Sequence, residues 1–171
     1  LREFGETEAD MTNKCAICLL IAGLVALAAP SPSRAFGMGV VAGEPTGLSF
    51  KQWLAGGNAV DAAAAWSFDD PGAFHFHMDY LYHMVSAGEL RIPGWKFYLG
   101  IGGRLRLEED DNRLGVRIPL GIDYLFRTSP FEFFIEVAPI LDLAPATEMR
   151  MNVGAGIRYY FGQPWQPDLL S

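Results

Sequence analysis

The chain has 171 residues, half of them hydrophobic, and a formal net charge of −7. That length suits a single domain, and 20 acidic residues against 13 Lys and Arg argue against a nucleic-acid partner. Both cysteines, Cys15 and Cys18, lie in one early apolar run, so the chain beyond it offers neither a disulfide framework nor thiol chemistry.

Residues 1–10, "LREFGETEAD", are polar and acidic and precede Met11; they read as an over-extended start and are set aside. From Met11 the order is Lys14, an apolar run from Cys15 to Ala29, and a Pro/Ser-rich segment with Ser33 and Ala35 at the −3 and −1 positions. That order describes a secretory signal peptide over 11–35, cleaved after Ala35. The apolar run is shorter than the ~20 residues a bilayer-spanning helix needs. No lipobox stands at its end, which argues against a lipid anchor. Counted from Phe36, 16 acids and 10 bases leave −6.

Beyond Phe36 the apolar period is two, not 3.6. Strands are expected over 36–43, 46–54, 58–68, 73–85, 95–107, 113–127, 131–142 and 149–161. The gaps between them carry turn residues: Glu44–Pro45, "AGG" at 55–57, "DDPG" at 69–72, "EEDDN" at 108–112, "TSP" at 128–130 and "APATE" at 144–148. Short gaps join antiparallel neighbours. An even number of strands in simple succession closes without edges. Pro119 and Pro139 fall inside strands, and each removes a ladder donor and marks irregular pairing.

The fifth strand, "WKFYLGIGGRLRL", shows the pattern. Trp95, Phe97, Leu99, Ile101, Leu105 and Leu107 share one face, and Lys96, Tyr98, Gly100, Gly102, Arg104 and Arg106 share the other. The longest strands run well past the usual five or six residues and suit the ~9–11 of a transmembrane strand. An eight-stranded ring has an interior that side chains just fill. Gly100, Gly102, Gly115, Gly121, Gly154 and Gly156 on the charged face make room there for long Arg and Tyr side chains. The charges are also mixed in sign, as burial requires. The expected interior network is Asp61, His75, His77, Asp79, Arg104, Arg106, Arg117, Asp123, Arg127, Glu132, Glu136, Asp142, Arg150 and Arg158. Arg127 and Glu132 flank one turn and Asp142 and Arg150 another, each placed to pair across it. Glu136 is expected to pair with Arg158 or Arg127.

Aromatic residues gather at both ends of the apolar face. Tyr80, Tyr82, Trp95, Phe97, Tyr124, Phe126, Phe131, Phe133, Tyr159 and Phe161 fall at the end that holds the termini. Trp66, Phe68, Phe74 and Phe76 fall at the other. Two girdles around an aliphatic band are the mark of a transmembrane barrel. The fold expected is therefore all-β: an eight-stranded antiparallel up-and-down transmembrane β-barrel over 36–161, preceded by a cleavable signal peptide and followed by a short periplasmic tail, 162–171.

The segments "GEPTGLSFKQWL", "GIGGRLRLEEDDNRLGVRIPLGIDYLF", "FEFFIEVAPILDLAP" and "GAGIRYYF" resemble a bacterial family of small outer-membrane β-barrels without an assigned function, similar to the outer-membrane protein A and X type. The resemblance covers roughly Gly37 to Phe161. It implies an outer-membrane location and carries over no catalytic residues. The chain departs from ordinary barrels of this type in running on past "YYF" as "GQPWQPDLLS".

Chemistry was sought and weighed against plainer readings. His75, His77 and His83 share a face with Asp79, but four ligands at tetrahedral spacing are not evident, so the histidines read as members of the interior network. Ser67 and His75 flank the turn that holds Asp69 and Asp70, a superficial nucleophile, base and orienter; turn chemistry explains the acids more simply. "GIGG" at 100–103 precedes no helix and is not a nucleotide loop. Glu108 to Asp111 form an acidic loop that reads as solvated, with cation binding the lesser reading. No catalytic residue, cofactor or metal is assigned. The expectation is a monomeric outer-membrane protein of a Gram-negative-type bacterium, with membrane lipid and the barrel assembly machinery as partners, in a structural or interaction role. Its rivals are a lipid-modifying barrel enzyme and a secreted soluble barrel carrying an apolar ligand.

Overall fold

The computed structural model describes residues 35–43, 46–66, 74–84, 94–107, 112–126 and 128–162. Nine strands follow in order: β1 (Phe36–Gly43), β2 (Thr46–Trp53), β3 (Asn58–Trp66), β4 (Phe74–Met84), β5 (Trp95–Leu107), β6 (Arg113–Arg117), β7 (Leu120–Leu125), β8 (Phe131–Ala144) and β9 (Glu148–Phe161). All pairings are antiparallel. β1 to β5 pair in succession, β5 pairs with both β6 and β7, both pair with β8, and β8 pairs with β9. β9 returns to β1, with Phe36 opposite Phe161 and Gly43 opposite Gly154. The result is a closed ring of eight strand paths with no free edge.

The expected sixth strand, 113–127, is two segments rather than one. The register nevertheless runs straight through the break: Arg117 and Leu120 face Gly102 and Leu99 on one side, Ile140 and Val137 on the other. The cause is two missing donors. Gly100 N donates to Pro119 O at 2.8 Å and Ile118 N to Pro139 O at 3.0 Å. Neither proline has an N–H to return the bond. The remaining boundaries agree with expectation to within two residues, apart from those that fall at 67–68, 73, 85 and 127, outside the described residues. The tight "AGG" turn closes through Leu54 N to Asn58 O at 2.7 Å. Gly56 and Gly57 adopt φ of 71° and 80° there, which a side chain would resist.

The alternation sorts the two faces cleanly. Ile101 is 61% exposed and Met151 66%, and Val40, Leu99, Leu114, Ile135, Val153 and Ile157 join them on the outer surface. Around the end that holds Phe36 and Phe161, aromatic rings touch in succession. Phe50, Phe36, Phe161, Tyr159 and Phe131 follow one another at 5.0–6.4 Å between centroids, and Trp95, Tyr124 and Phe126 at 4.9–5.1 Å. Inside that same end Ala35, Trp53, Ala59, Leu81, Tyr98, Leu125 and Tyr160 form a buried apolar cluster. Ala35 O accepts from Trp53 N at 3.1 Å and from Gln52 Nε2 at 3.2 Å, contacts of the uncleaved chain that cleavage after Ala35 would remove.

Candidate functional site

The inward face is the chemically distinctive part of the ring. In three of its pairs, partners on next-but-one strands meet across a glycine. Gly102 lies between Asp79 and Arg117 in register, Gly115 between Arg104 and Asp142, and Gly121 between Tyr98 and Glu136. A Cβ at Gly102 would run into the Asp79 carboxylate, and one at Gly121 into the Tyr98 ring. The bare backbone at these positions lets long side chains cross an intervening strand.

Two groups of ion pairs result. In the first, Lys51 Nζ bonds Asp123 at 2.6 Å and Glu132 at 3.2 Å, all three side chains fully buried. Lys51 also stands 4.4 Å from the centroid of the Trp53 ring, and Lys96 stands 4.8 Å from it, both within cation–π range. Glu132 accepts two more bonds, from Arg158 at 2.7 Å and Tyr160 at 2.8 Å. Arg158 reaches Asp61 as well, and its Nε donates to Ser49 Oγ at 2.8 Å. His83 lies 3.0 Å from Asp123 and 3.1 Å from Gly57 O.

In the second group Arg117 binds Asp79 and Glu136 together. Tyr98 donates to Glu136 at 2.9 Å. Ser49, Asp61, His77, Arg117, Glu136 and Arg158 are among the residues around a cavity of about 20 Å³ between the groups, room for one water. Toward the end away from the chain termini the pairs loosen. Arg104 is 4.0 Å from Asp142, and Arg150 is 3.3 Å from it. Glu148 at the rim accepts from Arg113 at 3.0 Å and Arg150 at 2.8 Å.

Of the residues expected in the network, Asp61, His75, His77, Asp79, Arg104, Arg117, Asp123, Glu132, Glu136, Asp142 and Arg158 are buried, and Arg106 and Arg150 are half-buried. Asp142 and Arg150 meet across their turn as expected. One pairing is corrected: Glu136 holds Arg117 and Tyr98, while Arg158 holds Glu132 and Asp61. Tyr98 reaches Glu136 over Gly121, Arg117 reaches it from the neighbouring strand path, and Glu132 stands directly opposite Arg158 in register. Arg127, Ser67, Asp69, Asp70 and the acidic loop 108–111 lie outside the described residues, as do 1–34 and 163–171. The three histidines do not converge. His83 sits with Asp123 and Trp53, and His77 is 3.9 Å from Asp79. Among the described residues no cluster of three His, Cys, Asp or Glu is placed to hold a metal ion. Lys96, Tyr98 and Tyr160 were read on the charged face but left out of the expected network, and Lys51 was missed. Lys51 was findable, since it continues the inward series Gly47, Ser49, Lys51 and faces Asp61 in register.

No family model matches the chain, and no curated protein does. Among solved structures, the N-terminal β-barrel domain of Pseudomonas aeruginosa OprF superposes with a TM-score of 0.52 at 16% identity, covering 75% of this chain and 96% of that domain. This chain shares the OprF barrel fold. At this identity the likeness is one of fold.

Proposed function

We propose that the protein is an integral outer-membrane β-barrel with a side-chain-filled polar interior and a structural or interaction role. One observation carries the reading: the ring wears its aliphatic side chains outside and its ion pairs inside. A soluble monomer rarely exposes a contiguous apolar patch beyond a few hundred Å²; here the apolar set runs around the ring. In a bilayer the same surface is solvated by acyl chains, and the closed ladder leaves no unpaired edge in lipid. The aromatic rim suits the headgroup level. The same polarity argues against the soluble carrier, whose apolar face would have to point inward.

Export through the signal peptide over 11–35, insertion by the barrel assembly machinery, and a monomeric state in outer-membrane lipid complete the proposal. No step of catalysis is assigned. The test is fractionation of expressing cells, followed by gel electrophoresis of boiled and unboiled samples. The protein should partition with outer membranes and migrate faster unboiled. Recovery in the soluble periplasmic fraction without detergent would reject the reading.

A further inference from the structure

The end of the interior away from the termini, its mouth, is unlike the rest. Deep in the ring each of Lys51, Arg117 and Arg158 touches two carboxylates. At the mouth, Arg104 is 4% exposed, and its one carboxylate among the described residues is Asp142 at 4.0 Å, beyond hydrogen-bond reach. Its Nε has no hydrogen-bond partner. Asp142 is 1% exposed; its carboxylate stands 3.3 Å from Arg150 Nε, yet no well-directed hydrogen bond joins them and neither oxygen accepts another. Buried donors and acceptors left unmade are costly and call for an explanation.

Arg104, Arg113 and Arg150 stand here around Asp142 and Glu148. His77 faces Arg104 in register, His75 faces Arg106, and Arg106 faces Arg113. Directly opposed like charges repel. Arg106 and Arg113 have contacts of their own, which leaves Arg104, Arg150 and Asp142 as the groups that face the mouth with loose pairing. Inward positions across the ring are small: Val41, Ala63, Ala65 and Gly154 border the cavity below, and a Cβ at Gly154 would meet only Val41 at 3.0 Å and a backbone oxygen at 3.7 Å.

We propose that this mouth binds a phosphate that retains one proton, either inorganic hydrogen phosphate or a phosphomonoester headgroup. The ligand must accept from Arg104 and Arg150 and also donate to Asp142. Hydrogen phosphate does both, its bare oxygens accepting and its P–OH donating, and such forms are present near neutral pH. Sulfate and phosphodiesters only accept, and would set an anion against Asp142 with no proton between. A metal cation would suit Asp142 but meet the arginines.

The test uses the full chain folded in neutral detergent micelles, in phosphate-free buffer at pH 7 and constant ionic strength. Isothermal titration with sodium phosphate should give a saturable one-site curve, with sodium sulfate about tenfold weaker or more. Arg104→Gln should weaken phosphate by about tenfold or more, the loss of a charge-assisted bond. Asp142→Asn should remove the preference for phosphate over sulfate. Arg150→Gln, at the half-exposed rim, serves if Arg104→Gln fails to fold by heat-dependent gel mobility. Micelles doped with phosphatidic acid or with phosphatidylglycerol separate the sources. Saturation by phosphatidic acid alone, absent in Arg104→Gln or Arg150→Gln, assigns a headgroup; saturation by inorganic phosphate assigns the free ion. Equal responses to phosphate, sulfate and chloride, with none from phosphatidic acid, would mean that the groups hold ordered water only and would overturn the proposal.

Discussion

Replacing Arg117 with methionine probes the interior most sharply. Arg117 is 3% exposed and binds Asp79 and Glu136 at once, reaching the first across Gly102. Methionine keeps much of the length and removes the charge. Asp79 loses its one close cation, since His77 stands 3.9 Å away, and Glu136 keeps only the Tyr98 hydroxyl at 2.9 Å. Each arginine bond to a carboxylate is worth about 1.5–3 kcal/mol. Together with two carboxylates left buried, the pair predicts a loss of about 3–5 kcal/mol. Exposed pairs are worth only ~0–1 kcal/mol, so the two cases separate well. The assay is urea unfolding from phosphatidylcholine vesicles, followed by tryptophan fluorescence and by gel mobility. Asp79→Leu and Glu136→Leu added to Arg117→Met should cost less than Arg117→Met alone, because no uncompensated charge remains. A loss under about 1 kcal/mol for Arg117→Met would show that water, not packing, surrounds these charges and would refute the filled interior.

Ile101→Arg puts a charge on the outer band and should destabilise the protein by about 2–4 kcal/mol in bilayers, read from the same urea titration. Gly102→Leu should cost at least about 1–3 kcal/mol by overpacking, because its side chain would enter the space of the Asp79 carboxylate that Arg117 needs. Intact-mass measurement of the exported protein should find Phe36 at the N-terminus; retention of Met11 would refute the signal assignment. Planar-bilayer recordings should show no large, steady conductance, because the buried cluster around Trp53 and Tyr160 blocks one end of the interior.

How much of this was legible in the sequence differs by feature. Alternation revealed the strands and the two faces because it is a local signal: a residue and its second neighbour share a face whatever the rest of the chain does. The break at Ile118–Pro119 was half legible. Proline announced a missing donor, but only the fold brings Pro139 to the adjoining seam, so that one strand path loses bonds on both sides. Which residues point inward could be read. Which of them pair could not, because Arg117–Asp79, Arg104–Asp142 and Tyr98–Glu136 each skip a strand over a glycine. That geometry depends on closure and register together. The Asp142–Arg150 contact was legible because a single turn joins its two strands. Lys51 escaped notice because its partners Asp123 and Glu132 lie 72 and 81 positions away.

The central claim, apolar face to lipid and charged face enclosed, is tested most directly by spin labels. Both cysteines, Cys15 and Cys18, lie before Phe36, so a chain beginning at Phe36 would be labelled at single sites without background. Leu99→Cys, Ile101→Cys and Ile135→Cys on the outer face, and Asn152→Cys on the inner face as comparison, would be labelled with a nitroxide in vesicles. Collision with dissolved oxygen, which concentrates in the acyl region, is compared with collision with a water-soluble nickel chelate. The account predicts oxygen-dominated relaxation at Leu99, Ile101 and Ile135, and a weaker oxygen response at Asn152, which lies on the inner face. Nickel-dominated relaxation at Leu99, Ile101 and Ile135 would place the aliphatic band in water and contradict it.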